Sequence, residues 1–313
     1  MRVAVLCGGF GAARFLDGLR RVPGLTLTCI ANTADDLEYA GVHVSPDVDT
    51  VTYAMAGIFD EDRGFGVVDD TFRNAEALRR YGLGWFAVGD VDLATSLWRT
   101  GLLRAGASLS EATAALARGL GLATAVVPMS DDPVRTVVVT DEGRLPFQEY
   151  LVVHRARPPV LRVDHDGLAE ARPAPGVLPA LREADLVILA PSSPVASLGP
   201  ILALPGVRAA LAQATTVAVT PVVSGQAPAT PPEQSRARVR AAFMAAAGLA
   251  HSATAVAELY ADVLDVFVLD EWDAAEADPI AALGVDVVTA DTLARGAGRV
   301  VLAETVLAVA GRG

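Results

Sequence analysis

The sequence predicts a Rossmann-like α/β fold, doubly wound on a mainly parallel sheet. Three observations lead there. Short apolar runs without polar alternation recur along the chain, as strands buried on both faces require. The first run is followed by a glycine-rich turn, a helical pattern and a second run, which is a strand–helix–strand unit. The chain has 313 residues, 52% hydrophobic and 20% charged, which is enough for a large core and excludes a disordered chain. One domain over 1–313 is expected, with a peripheral insertion around 140–180.

In chain order, RVAVL (2–6) reads as the first strand, and Cys7-Gly8-Gly9-Phe10-Gly11 as the turn after it. A helix is predicted from Ala12, with Phe15, Leu16 and Leu19 on one face. TLTCIA (26–31) is the second strand and ends at Asn32. Residues 109–120 read as helix and 125–128 as strand. Residues 134–139, Glu142-Gly143 and 147–153 read as a hairpin-like excursion. The stretch 155–179 is rich in proline and charge, with a short strand over 160–163. Further buried strands fall at 186–190 and 216–220, and late strands at 266–269 and 285–288. GQAPATPPEQ (225–234) is a loop by composition, and 303–310 closes the chain as helix.

Composition narrows the chemistry. The sequence contains no lysine, so all 25 Lys+Arg residues are arginine. A Schiff-base lysine and a P-loop lysine are therefore excluded, and phosphate recognition falls to backbone N–H groups, arginine forks or a metal ion. A net charge of −12 argues against sequence-independent nucleic-acid binding. Cys7 and Cys29 lie in apolar runs and read as reduced core thiols. No signal peptide or membrane-spanning stretch is expected, and a cytoplasmic protein is the expectation. His43, His154, His165 and His251 lack zinc-ligand spacing, and no G-x-S-x-G elbow occurs.

Sites that could carry chemistry lie after the predicted strands. Gly8-Gly9-Phe10-Gly11 is placed for phosphate binding at a helix N-terminus, or is simply a tight turn. It departs from the dinucleotide fingerprint: Arg14 stands where a third glycine belongs, and the second strand ends in Asn32, not an acidic ribose ligand. Asp35, Asp36, Asp47 and Asp49 place four carboxylates within fifteen residues. Such a cluster calls for a hard divalent cation, with Asp47 or Asp49 alternatively capping the helix that holds Val51, Ala54 and Met55. In Gly89-Asp90-Val91-Asp92, function and capping are equally open. The loop 190–200 carries hydroxyls and free amides held by three prolines, which suits a phosphate- or base-binding loop or a structural one. The acids from Asp262 to Asp273 read as a solvated edge.

Taken in order, these motifs resemble one family. They are GGFGAARFLDGL (8–19), NTADD (32–36), SPDVDTVTYAMAG (45–57), DDTFRNAEAL (69–78), GWFAVGDVDLATSLWRT (84–100), LLRAGASLSEAT (102–113), PMSDDPVRT (128–136), FQEY (147–150), APSSPVASLGPILALPGVR (190–208) and LDVFVLDE (264–271). The set resembles the 2-phospho-L-lactate transferases of coenzyme F420 biosynthesis. The resemblance implies a Mg²⁺-dependent enzyme and a guanosine diphosphate donor carrying a C3 acid: phospholactate, phosphoenolpyruvate or phosphoglycerate. The acid-bearing phosphate passes to the deazaflavin Fo and GMP leaves, yielding (dehydro-)coenzyme F420-0. It implies Asp35 and Asp47 as metal ligands, and Asp49 (with Asp47) as catalytic, placed at the Fo hydroxyl. Gly8, Gly9, Gly11, Asn32 and Asp36 would face substrate, Ser192 and Ser197 the nucleotide, and Trp85 the deazaflavin, with Arg14 and Arg99 the nearest cations. A homodimer is the family tendency. Val91 stands where the family has a basic residue, Ser96 where it has histidine, Ser193 where it has asparagine, and 224–234 replaces a Gly-Pro-Ala turn. The alternative is a non-catalytic regulator that binds a sugar nucleotide, resembling the gluconeogenesis factors; SPDVDT, PMSDDP and FQEY argue against it. A dehydrogenase is disfavoured by Arg14.

Overall fold

Leu186, Val187, Ile188 and Leu189 are all fully buried, so this short run has no solvent face and must lie in a sheet covered on both sides. The computed structural model describes residues 1–311 and shows that sheet. The strands are β1 (Arg2–Cys7), β2 (Thr26–Ala31), β3 (Leu37–Tyr39), β4 (Val42–Val44), β5 (Ala125–Pro128), β6 (Arg135–Thr140), β7 (Gly143–Pro146), β8 (Arg162–Asp166), β9 (Leu186–Leu189), β10 (Thr216–Val219), β11 (Val266–Asp270) and β12 (Asp286–Ala290). Seven of them form one parallel sheet in the order β12-β11-β10-β9-β1-β2-β5. The predicted α/β class is observed.

Side-chain alternation divides the core between the two faces. Ala4, Leu6, Ile30, Val187 and Leu189 pack on one side. Val3, Val5, Cys7, Cys29 and Ile188 pack on the other, where the helix Gly9–Leu19 lies between the helices Pro46–Ala56 and Gly298–Leu307. Both cysteines are free and buried. Strand β1 sits between β2, the next strand in the chain, and β9, which follows it by some 180 residues (Val3 pairs with Leu186). The winding direction reverses there, and the carboxyl ends of β1 and β9 diverge into the crevice where open α/β sheets bind ligands.

Several expectations are corrected. The first helix starts at Gly9, not Ala12, so the glycines are its first turn. Residues 147–153 do not form the second arm of a hairpin: β7 does, and Glu149–Val153 winds into a wide helical turn beyond it. The strand expected at 160–163 lies at β8 and joins β6 in the antiparallel sheet β7-β6-β8. This small sheet lies within residues 135–166, and its Val138 packs with Tyr150 against Val239 and Phe243 of the helix Pro231–Ala246. That helix starts inside the segment read as loop, because Thr230 and Glu233 form a capping box around Pro231 at the first position. Among the described residues no helix is long and apolar enough to cross a membrane.

Candidate active site

Pro46 opens the helix Pro46–Ala56, so Asp47 and Asp49 lie in its first turn and neither is its N-cap. The residue in the cap position is Ser45, whose hydroxyl turns away and donates to Asp36 Oδ2 at 2.6 Å; the same oxygen faces His43 Nε2 at 3.0 Å. Capping therefore accounts for none of the clustered carboxylates. All four, Asp35, Asp36, Asp47 and Asp49, are buried.

Asp47 faces the crevice from the side of the glycine turn. Asn32 Nδ2 donates to its Oδ2 at 3.0 Å and Ser197 Oγ at 3.4 Å. Burial raises its pKa to about 6, against the pull of these donors. Asp35 receives Thr136 Oγ1 at 3.4 Å, and burial together with the charge of Asp47 holds it well above the ordinary carboxylate range. The glycines allow close approach: a Cβ on Gly8 would meet the Asp47 carboxylate, and one on Gly11 the Pro191 carbonyl oxygen. Gly8 N–H donates to Ser192 Oγ at 3.0 Å, tying the loop after β1 to the loop after β9.

Asp49, two residues on, is neutralised. Arg99, from the helix Asp90–Arg104, sends one guanidinium nitrogen to each carboxylate oxygen, and the pair is almost wholly sealed from solvent. Burial raises the Asp49 pKa while Arg99 opposes the rise.

The donor set tests the expected metal. Among the described residues no group of three or more Asp, Glu, His or Cys side chains could hold an ion. Among the described residues the acidic pair Asp35 and Asp47 has no cation in contact, and one or two carboxylates completed by water and phosphate oxygens is the set Mg²⁺ takes. The pair fits that ion.

One cavity of about 930 Å³ joins these elements. Gly8, Gly9, Gly11, Asp35, Asp47, Asp49, Ser192 and Ser197 line it. Asn32 and Asp36 stand behind the wall and orient Asp47 and Ser45. Trp85 is outside the lining and packs on Tyr39 and Phe86. Arg14 lines the cavity, and Arg99 reaches it through Asp49. Sequence reasoning missed Arg236 and Arg240, both on the lining; the Thr230–Glu233 capping box was the signal that could have placed their helix.

Other acids are structural. Asp70 accepts the Val91 and Asp92 N–H groups at the start of the helix Asp90–Arg104, while Asp90 accepts Asn74 N–H at 2.9 Å in the helix Arg73–Arg79. Each acid thus caps the other's helix. The solvated-edge reading of Asp262 to Asp273 fails at Asp270 and Asp273. Asp270 is fully buried and accepts from Trp272 and Thr292; Asp273 is buried and takes the Ser224 and Gly225 N–H groups, anchoring one cavity loop. Of the departing positions, Val91 is exposed, Ser96 is buried with no partner for its hydroxyl, and Ser193 caps the Pro194–Leu198 turn through Ala196 N–H.

The chain matches the family described as 2-phospho-L-lactate transferase CofD over residues 3–306. It belongs to that family. Among its relatives, a 2-phospho-L-lactate transferase of Methanosarcina acetivorans is 41% identical over 291 residues, covering 92% of each chain. A phosphoenolpyruvate transferase of Thermobifida fusca is 43% identical over 303 residues, covering 92% of this chain and 90% of that one. A crystal structure of a UPF0052 family member from Bacillus halodurans superposes with a TM-score of 0.65 at 18% identity, covering 98% of this chain and 99% of that one, and shows the shared fold. As a CofD-family chain the protein is a transferase.

Proposed function

We propose that the protein moves a phosphorylated C3 acid from its guanosine diphosphate conjugate to the terminal hydroxyl of the deazaflavin Fo, releasing GMP and forming (dehydro-)coenzyme F420-0. Family membership over nearly the whole chain carries this reading, and the cavity supports it chemically. The hydroxyl oxygen forms a bond to the acid-bearing phosphorus as the bond to the GMP oxygen breaks. Little covalent chemistry is asked of the protein beyond positioning and neutralising the spreading charge.

The N-terminus of the helix Gly9–Leu19 offers the Gly9 and Gly11 N–H groups and its dipole to the donor phosphates, while Gly8 gives the close approach and spends its N–H on Ser192. Ser192 and Ser197 hold the nucleotide side. Asp35 and Asp47 would hold Mg²⁺, which when bound would supply positive charge to the donor phosphates beside these carboxylates. Arg99 occupies one lone pair on each Asp49 oxygen, which leaves this cavity-lining carboxylate further acceptor capacity. Asp49 accepts the hydrogen of the Fo hydroxyl, orienting it and taking its proton as the new bond forms.

The test is to incubate the protein with Fo, Mg²⁺ and each guanylylated C3 acid in turn. GMP release is expected with at least one; its absence with all three acids overturns the reading.

A further inference from the structure

Six arginines line the cavity. Four of them are consumed by carboxylates. Arg14 pairs with Glu61 and Glu233, Arg63 with Asp60, Arg295 with Glu233, and Arg299 with Asp17 and Glu61. Arg236 and Arg240 have no carboxylate in contact among the described residues.

These two lie one turn apart on the same face of the helix Pro231–Ala246. Arg236 is fastened in place: its guanidinium donates to the Gly64 carbonyl at 2.6 Å and the Pro232 carbonyl at 3.3 Å, and lies 4.8 Å from the centre of the Phe10 ring. Its charge also reaches Asp47 and pulls that carboxyl down against burial. The Arg240 side chain is half-buried and makes no hydrogen bond among the described residues, and its Nε is sealed from solvent without a partner. Burial pushes its pKa down to about 10, so it is still cationic at neutral pH. A guanidinium lining a cavity with a sealed, unpartnered Nε and no counter-charge is costly, and a protein keeps one where a ligand supplies the anion.

We infer that Arg236 and Arg240 form a clamp for the anionic end of the transferred group, a phosphate ester bearing a carboxylate. Arg236, on the glycine-turn side near Asp47, faces the phosphate. Arg240, four residues or about 6 Å further along the helix, forks the carboxylate with two parallel N–H donors. The inference rests on the transferase reading above and adds how the acid is selected: an ester without the carboxylate leaves Arg240 unpaired.

The test compares wild type with Arg240→Gln and Arg240→Lys in steady-state kinetics with the conjugated donor, and in calorimetric titrations with GDP and with free phosphoenolpyruvate. Arg240→Gln should raise the donor KM and the phosphoenolpyruvate Kd by about tenfold or more, with GDP affinity held within about twofold, because GDP lacks the acid. Arg240→Lys should fall between, keeping the charge and losing the fork. Melting temperatures establish that both variants fold; removing an unpaired, half-buried charge should not lower them. If Arg240→Gln fails that check, Arg240→Lys carries the same comparison. Unchanged donor KM and phosphoenolpyruvate Kd overturn the clamp, and equal weakening of GDP overturns it by moving the diphosphate to Arg240. A wild type that turns over no donor overturns the transferase reading instead, and the phosphoenolpyruvate titration still decides the clamp.

Discussion

Asp47 and Asp49 sit two residues apart in the first turn of one helix, equally buried, yet they live in opposite electrostatic settings. Asp49 is held by Arg99, a full counter-charge with a matched fork. Asp47 has hydrogen bonds from Asn32 and Ser197, no cation in contact, and Asp35 as an acidic neighbour. The first arrangement is balanced in charge, ties two helices together and keeps acceptor capacity toward the cavity. The second is complete only when something positive enters the cavity. Burial alone therefore does not mark the ligand site. An unbalanced charge does.

The largest expected effect tests the completed side. Arg99→Leu leaves Asp49 buried without its counter-charge and should cost about 3–5 kcal/mol of stability, read from the urea midpoint. Adding Asp49→Asn in the same chain should restore most of that loss. A single-variant cost under about 1 kcal/mol would mean that the pair does not hold the helices together.

Next comes the unbalanced side. Asp47→Asn should lower turnover by about a thousandfold, roughly 4 kcal/mol in the barrier, with stability unchanged or raised. Burial has lifted the Asp47 pKa to about 6, so above that pH the folded state carries a poorly compensated charge that the amide removes. A variant that loses several degrees in melting temperature would return Asp47 to a structural role.

The smallest effect lies at the edge of the Asp49 pair. Asp92 accepts from Tyr53 at 2.9 Å, and burial, reinforced by the charge of Asp49, raises its pKa to about 7. A carboxyl raised in the folded state binds more protons there than when unfolded. Its contribution is fully present below the ordinary carboxylate range and is lost as pH rises through about 7. Urea titrations across this window should show stability falling with pH in wild type and falling less in Asp92→Asn. Equal slopes would mean that Asp92 titrates normally.

The strands were legible because a segment buried on both faces must be apolar throughout, and 2–6, 186–190, 216–220 and 266–269 announce this directly. The glycine turn, the acids after β2 and the serine loop after β9 were legible as chemistry because each follows a strand end. Less could be read where local signals conflicted. Proline and glycine made 225–234 look like loop, although Thr230-Pro231-Pro232-Glu233 carries a capping signature that starts a helix. Apolar residues in 147–153 looked like a hairpin arm, but β6 finds its partner in β7 and the chain turns away. Asp270 and Asp273 looked solvated because their partners, Thr292, Ser224 and Gly225, are distant in sequence.

By itself the sequence determined a parallel α/β sheet, a lysine-free and acid-rich active segment, and phosphate recognition by loop amides, arginine or metal. Tertiary structure decided which acid receives a cation and which does not. Arg99 reaches Asp49 across fifty residues, Glu61 and Glu233 take up Arg14, Arg295 and Arg299, and Arg236 and Arg240 are left facing the cavity. The reason is physical. Ion pairing is set within a few ångströms in a desolvated interior, and those distances follow from strand order and helix packing, which chain order does not contain.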